Sequence, residues 1–115
     1  MPTVMIVEDE FFVALDLETI VEDSGYQFDG PYASVAETSE ALDRCMPHCA
    51  ILDVRLKDGE VFPVADRLHI AKVPIIFHSG HADVSDLLDR YPGSQICSKP
   101  STPKQLRSAL EAAFA

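Results

Sequence analysis

The stretch TVMIVEDE, residues 3–10, shows the pattern from which the fold can be read. Val4–Val7 form a short apolar run, as a buried parallel strand requires, and three acidic residues follow at once. Apolar side chains then recur at helical spacing: Val13, Leu17, Ile20 and Val21. The Ser-Gly pair at 24–25 ends this pattern. The segment therefore predicts a strand followed directly by a helix.

Strand and helix patterns keep alternating to the end of the chain. Four further segments have strand character: residues 27–32, 49–53, 73–78 and 95–98. Helical patterns lie between and after them: residues 34–45, 62–69, 84–90 and 102–114. The alternation predicts an α/β fold, a doubly wound five-stranded parallel sheet with helices on both faces. Gly30-Pro31 places the second strand at an edge, because proline cannot donate to a ladder.

Capping signatures support two of the helix starts. Ser34 and Glu37 have the spacing of a capping box. Thr102, Pro103 and Gln105 combine an N-cap residue, a proline at the first helical position and a capping glutamine. Both helices are therefore expected to begin at these residues.

Length and composition limit the classes of protein that fit. With 115 residues, the chain is expected to form a single domain, residues 1–115. No apolar stretch reaches the roughly 18 residues of a membrane helix. No basic flank precedes an apolar run at the N-terminus, so we expect a cytoplasmic protein with no membrane contact. The net charge of −10 disfavours direct binding to nucleic acid.

Three cysteines occur in a chain without an export signal, namely Cys45, Cys49 and Cys97. The odd number and the lack of a CxxC pair predict reduced, mostly buried thiols. Cys45, His48 and Cys49 lie close enough in sequence to suggest zinc. Because no standard spacing supplies a fourth ligand, structural thiols are the favoured interpretation.

Polar residues stand at the carboxyl ends of four predicted strands, where ligands bind in doubly wound sheets. Glu8 and Asp9 follow the first strand, Asp53 ends the third, Ser79 follows the fourth and Lys99 follows the fifth. Each residue alone has an ordinary explanation as a helix cap, a turn residue or a solvated side chain. Their occurrence together indicates a functional site.

The chemistry of these residues points to phosphoryl transfer. Three carboxylates need a cation to share a small site, and hard oxygen ligands suit Mg²⁺. Asp53, at the centre of the sheet, is a candidate nucleophile toward a phosphoryl group. The ammonium of Lys99 and the hydroxyl of Ser79 would neutralise and bind the phosphoryl oxygens.

The sequence resembles the response-regulator receiver domains of two-component signalling over essentially its whole length. The matching motifs are VEDE at 7–10, ILD at 51–53, HSG at 78–80 and SKP at 98–100. The resemblance implies a flavodoxin-like fold with strand order 2-1-3-4-5. It also implies that Asp53 is the phosphoacceptor and that Ser79 and Lys99 link the phosphoryl group to a conformational switch.

The resemblance further implies a ligand set and partners. Mg²⁺ would be held by Asp9, Asp53 and the backbone carbonyl of Arg55, with Glu8 acting through water. The phosphoryl donor would be a phosphohistidine on a sensor histidine kinase or a histidine phosphotransfer protein. A homodimer through the face of the fourth helix, fifth strand and fifth helix is a further expectation. The domain would catalyse its own phosphorylation and dephosphorylation without being a conventional enzyme.

Several residues depart from the family pattern. Ile96 stands where many receivers carry a switching aromatic residue, and the loop after Asp53 lacks the usual Met-Pro. The segment Phe77–His81 resembles the Phe-Ala-Thr-Gly motif of an atypical subgroup, whose members often stand alone as phosphate shuttles or sinks. His78 and His81 could bind phosphate or affect hydrolysis, or they could be a packed and a solvated residue.

Two other classes of function stay open at this point. A small magnesium-dependent phosphatase or phosphotransferase would use the same residues, although 115 residues leave no room for a cap domain to enclose a metabolite. A phosphorylation-independent interaction module would use the helix surfaces alone. The complete set of acids and Lys99 argues against that module.

Overall fold

The computed structural model describes residues 2–80 and 84–115. The strands are β1 (Thr3–Val7), β2 (Gln27–Tyr32), β3 (Cys49–Leu52), β4 (Arg55–Leu56), β5 (Gly59–Glu60), β6 (Ile75–Ser79) and β7 (Gln95–Ser98). The helices are α1 (Phe11–Asp23), α2 (Val35–Arg44), α3 (Phe62–Ile70), α4 (Val84–Arg90) and α5 (Pro103–Ala113). The predicted alternation is confirmed. The fourth strand of the main sheet begins at Ile75, two residues later than the apolar run suggests.

The main sheet is parallel and has the order β2-β1-β3-β6-β7. This is the predicted order 2-1-3-4-5, because β4 and β5 belong to a separate hairpin. In the centre, β1 and β3 pair from Val4 with Cys49 to Val7 with Leu52. Their carboxyl ends are therefore level, and the residues that follow the two strands meet at one edge of the sheet.

Helices cover both faces of the sheet, as predicted. One apolar cluster unites β-strand residues with α1 and α5 through buried side chains such as Leu17 and Leu110. The other cluster unites the opposite sheet face with α2, α3 and α4, where Leu42, Leu68 and Tyr91 are buried. Burial of apolar surface on both faces provides the main stabilisation of such a layered fold.

A short antiparallel hairpin follows β3, which the sequence pattern did not predict. It pairs Arg55 with Glu60 around the turn at Lys57-Asp58. The Asp58 carboxylate accepts hydrogen bonds from the N–H groups of Val35 and Ala36, at 2.8 and 3.2 Å. These bonds satisfy amides at the start of α2, which have no partner within the helix. They also lower the pKa of Asp58, chiefly through the bond to Val35.

The two predicted helix starts have side-chain caps. The Ser34 hydroxyl accepts from the Glu37 N–H at 3.1 Å, but the Glu37 carboxylate accepts from the N–H of Ala33 rather than from that of Ser34. At α5 the capping box is complete, with reciprocal hydrogen bonds between Thr102 and Gln105 at 3.2 and 2.8 Å. Each helix therefore begins directly after its predicted cap.

Strand β2 lies at an edge of the sheet, as the Gly30-Pro31 pair predicted. Gly30 has φ +109°, and a Cβ atom there would lie 2.7 Å from the carbonyl oxygen of Ile6. Glycine is therefore required at this position by both backbone conformation and close packing.

The three cysteines are free thiols, as predicted, but their burial differs from the prediction. Cys49 is buried in β3, where burial raises its pKa to about 12, and Cys97 is half-buried. Cys45 is exposed and directly follows α2, which ends at Arg44. His48 Nδ1 accepts a hydrogen bond from the N–H of Thr3, which gives this histidine a structural role.

Candidate functional site

Three carboxyl groups meet where β1 and β3 end. Each of Glu8, Asp9 and Asp53 offers a carboxylate oxygen, and these oxygens lie within 4.8 Å of one another. The register of the two strands causes this convergence, and the N–H of Asp53 donates to the carbonyl of Val7 at 2.9 Å. Glu8 is 3% exposed and Asp53 is 8% exposed, whereas Asp9 lies in solvent. The cluster is therefore buried on one side and open on the other.

The ammonium of Lys99 reaches this cluster from the turn that follows β7. Its Nζ atom lies 2.8 Å from Glu8 Oε1 and 3.3 Å from Asp53 Oδ2. The second carboxylate oxygen of Glu8 accepts from the N–H of Glu10 at 3.2 Å. One ammonium thus forms ion pairs with two largely buried carboxylates. Asp9, the third acid of the cluster, adds further negative charge.

The pKa values of Glu8 and Lys99 reflect their burial and their pairing. Burial raises the pKa of Glu8 from 4.5 to about 7, which outweighs the lowering by Lys99 and by the Glu10 amide. Burial alone would lower the pKa of Lys99, but its bonds and charge interactions with Glu8 and Asp53 outweigh burial and raise that pKa. The lysine therefore keeps its proton, and it is paired with two of the three acidic side chains.

Ser79 and Arg55 lie at the same end of the sheet. Ser79 is the buried last residue of β6, and its carbonyl accepts from the N–H of Lys99 at 3.3 Å. Arg55 opens β4, two residues after Asp53, and its side chain is exposed. The sequence therefore identified residues from four strand ends that are adjacent in the fold.

His78 is a packed residue and not a solvated one. It is 4% exposed, and its Nε2 atom lies 2.7 Å from the Oγ atom of Ser101. Ser101 was not identified from the sequence, although its position directly after the SKP motif was an available signal. His81, which was considered together with His78, lies outside the described residues.

A buried parallel sheet with acids after β1 and β3, a hydroxyl residue ending β6 and a lysine after β7 defines the receiver class of signalling domain. The family model for the response regulator receiver domain matches residues 4–111. The chain therefore belongs to the response-regulator receiver family of two-component signalling, whose members are signalling proteins and not conventional enzymes.

Particular relatives refine this picture. The phyllosphere-induced regulator PhyR of Methylorubrum extorquens is 27% identical over 114 residues, which are 96% of this chain and 43% of that protein. The crystal structure of a response regulator receiver protein from Sinorhizobium medicae is 27% identical with a TM-score of 0.87, covering 99% of this chain and 95% of the other. The crystal structure of the anti-anti-sigma factor PhyR from Bartonella quintana is 26% identical with a TM-score of 0.78. The match covers 98% of this chain and 47% of that protein.

The chain spans less than half the length of the two PhyR proteins that it resembles. Their similarity to this chain is therefore confined to a receiver-sized part of each protein. In the ranges 2–80 and 84–115, no helix combines the length and apolar character needed to cross a membrane.

Proposed function

We propose that the domain accepts a phosphoryl group on Asp53 and later loses it by hydrolysis. The observation that supports this most directly is the position of Asp53, almost buried, at the end of the central strand β3 and 3.3 Å from the ammonium of Lys99. A carboxylate that faces an ammonium can attack phosphorus while positive charge stabilises the phosphoryl oxygens.

The donor set fits Mg²⁺. Carboxylate oxygens are hard ligands, the oxygens of Glu8, Asp9 and Asp53 lie within 4.8 Å of one another, and the exposed side of the cluster leaves room for water. Burial raises the pKa of Glu8, and the bond to Lys99 does not offset that effect, so a bound cation would favour the ionised carboxylate. Asp9, Asp53 and the backbone carbonyl of Arg55 would hold the ion, with Glu8 acting through water. When bound, Mg²⁺ neutralises charge on the phosphoryl oxygens and on the carboxylates.

The residues of the chain then have distinct roles in the transfer. A carboxylate oxygen of Asp53 forms a bond to phosphorus while the phosphorus–nitrogen bond of the phosphohistidine breaks, and the leaving imidazole nitrogen keeps the electron pair. Lys99 and the Ser79 hydroxyl donate hydrogen bonds to the phosphoryl oxygens. In dephosphorylation, water attacks phosphorus and the carboxylate of Asp53 is regenerated with release of inorganic phosphate.

An apolar patch beside the acids supports docking of a phosphohistidine protein. Phe11 and Phe12 begin α1 and are 69% and 78% exposed, and Leu15 is exposed one turn further on. Exposed aromatic residues next to an acidic pocket are typical of an interaction surface rather than of solvated helix. A histidine kinase or a histidine phosphotransfer protein would place its apolar helical surface here, with its phosphohistidine over Asp53.

The face formed by α4, β7 and α5 is the proposed output surface. Val84 and Leu88 of α4 are exposed, and β7 is an edge strand of the sheet. We propose that phosphorylation favours a homodimer through this face. An anti-sigma protein is the second candidate partner, because the Bartonella relative is an anti-anti-sigma factor. Gel filtration with and without beryllofluoride distinguishes the two, since only a homodimer changes the size of the isolated domain.

Incubation with a small phosphodonor such as phosphoramidate, with Mg²⁺ or with EDTA, tests the proposal by intact mass. We expect one hydroxylamine-labile phosphoryl group per chain, which needs Mg²⁺ and is absent from Asp53→Asn. Labelling of the Asp53→Asn variant at the wild-type rate would overturn the assignment. No labelling of the wild type would favour an interaction module, and turnover of metabolite phosphoesters would favour a phosphatase. A long-lived phosphoryl group without a change in oligomeric state would favour a phosphate shuttle or sink.

A further inference from the structure

A buried hydrogen bond joins the end of β6 to the turn that carries Lys99. His78 pairs with Cys97 in the β6–β7 register, so it lies on the sheet face that α1 and α5 cover. From there its Nε2 atom reaches the Oγ atom of Ser101 at 2.7 Å. Both side chains line the groove of about 740 Å³ between α1 and α5, as does Lys99.

The ring of His78 has a preferred tautomer in this setting. Burial, together with the nearby charge of Lys99, lowers the pKa of His78, so the ring is neutral and carries one N–H. Its Nδ1 atom is buried and has no hydrogen-bond partner within residues 2–80 and 84–115. A buried N–H without an acceptor is rarer than a buried acceptor without a donor. A proton on Nε2, which would donate to Ser101 Oγ, is the tautomer that fits this arrangement.

The turn that carries Lys99 is hydrogen-bonded to β6 both before and after Pro100. Before Pro100, the N–H of Lys99 donates to the carbonyl of Ser79 at 3.3 Å. After Pro100, the Oγ atom of Ser101 is hydrogen-bonded to Nε2 of His78. We propose that His78 and Ser101 are positioning residues that hold this turn, so that the ammonium of Lys99 lies over Asp53. This inference rests on the proposed phosphorylation of Asp53 and assigns a role to a pair that does not touch the phosphoryl group.

The expected effect is moderate because lysine has a flexible stem. A small displacement of the turn is partly compensated by rotation within the four methylene groups of Lys99. Loss of the Ser101 hydroxyl is therefore expected to slow phosphorylation of Asp53 about fivefold, less than the roughly hundredfold that a rigidly held catalytic group can lose on a comparable displacement.

The test compares the rate of labelling by phosphoramidate, with Mg²⁺, in wild type, Ser101→Ala and the matched control Ser98→Ala. Ser98 is exposed in the same segment, and its side chain makes no hydrogen bond to the described residues. We expect Ser101→Ala and His78→Ala to be labelled more slowly than the wild type. Ser98→Ala should be labelled at the wild-type rate. His78→Gln, whose amide can also donate to Ser101, is expected to recover part of the rate.

Combination with Lys99→Gln separates positioning from general damage. If the pair acts through Lys99, adding Ser101→Ala to Lys99→Gln produces no further loss of rate. An equal loss in both backgrounds, or equal rates for Ser101→Ala and Ser98→Ala, would overturn the inference while leaving the phosphorylation of Asp53 intact.

A second readout does not depend on phosphorylation. The ¹⁵N-detected ammonium signal of Lys99, without Mg²⁺, reports its ion pairs with Glu8 and Asp53. We expect the signal in wild type and in Ser98→Ala, and its loss by exchange broadening in Ser101→Ala. Should the wild type fail to accept a phosphoryl group, the proposed function would fall. A signal that persisted in Ser101→Ala would refute the positioning role in that case also.

Discussion

The buried carboxyl group of Glu8 is expected to make the metal-free domain less stable as the pH rises. Its pKa is 4.5 in an unfolded chain and about 7 in the fold, because burial outweighs its pairing with Lys99. Below the lower value both states hold the proton. Between the two values the folded state keeps a proton that the unfolded state has released, so the free energy of unfolding falls with rising pH. The difference between the two pKa values of Glu8 corresponds to a loss on the order of 3 kcal/mol in the free energy of unfolding.

Substitution of Glu8 by Gln isolates this contribution, since glutamine keeps the size and a carbonyl acceptor for the Glu10 amide. Urea unfolding in EDTA would be measured at about pH 5 and about pH 8, on either side of most of the titration. We expect the free energy of unfolding of the wild type to fall by roughly 3 kcal/mol more than that of Glu8→Gln over this range. The matched control is Glu22→Gln, which removes the same charge from an exposed position of α1.

Addition of Mg²⁺ at the higher pH provides the second half of the experiment. Because the ion binds the folded state through the ionised cluster, it should restore more stability to the wild type than to Glu8→Gln. An equally steep loss of stability in wild type and Glu8→Gln would refute the assignment of the pH dependence to Glu8. Equal stabilisation of both proteins by Mg²⁺ would remove Glu8 from the proposed ligand set.

Three further substitutions test the apolar patch on α1, the bond between Tyr91 and α3, and the edge of the sheet. Phe12→Ser, at an exposed position of α1, is expected to slow phosphoryl transfer from a phosphohistidine protein about tenfold or more without changing the rate with phosphoramidate; an equal loss with both donors would contradict the docking proposal. The buried Tyr91 donates to Asp66 at 2.7 Å, and Tyr91→Phe should lower the free energy of unfolding by about 1 kcal/mol in urea titrations. Gly30→Ala would place a methyl group 2.7 Å from the carbonyl of Ile6 at a φ of +109°. Its cost should exceed about 1 kcal/mol, a loss that calorimetry would detect.

The sheet and most of the site could be predicted because both depend on periodic features of the sequence. Parallel strands end at a common edge, so acids that directly follow two apolar runs must meet, as Glu8 and Asp53 do. The lysine could be placed for the same reason, since it directly follows β7. Neither inference required knowledge of individual side-chain contacts.

The features that escaped prediction depend on single long-range contacts. The β4–β5 hairpin has two residues in each strand, too few for any periodic pattern, and Asp58 reaches the start of α2 from a turn 22 residues away in sequence. The bond between His78 and Ser101 likewise joins residues 23 positions apart. The position of Ser101 directly after the SKP motif places it near the site, but nothing in the sequence indicates that it will meet His78.

The balance of charge around Asp53 connects these contacts with the proposed switch. Phosphorylation would increase the negative charge at Asp53 by about one elementary charge, and the ammonium of Lys99 already lies 3.3 Å from that side chain. The backbone of Lys99 is bonded to Ser79, and its turn is bonded to His78 through Ser101. A shift of the ammonium toward a phosphoryl group that exceeds what rotation of the Lys99 stem can supply would act on the end of β6, through these two hydrogen bonds. Coupling of this kind needs no aromatic side chain in β7.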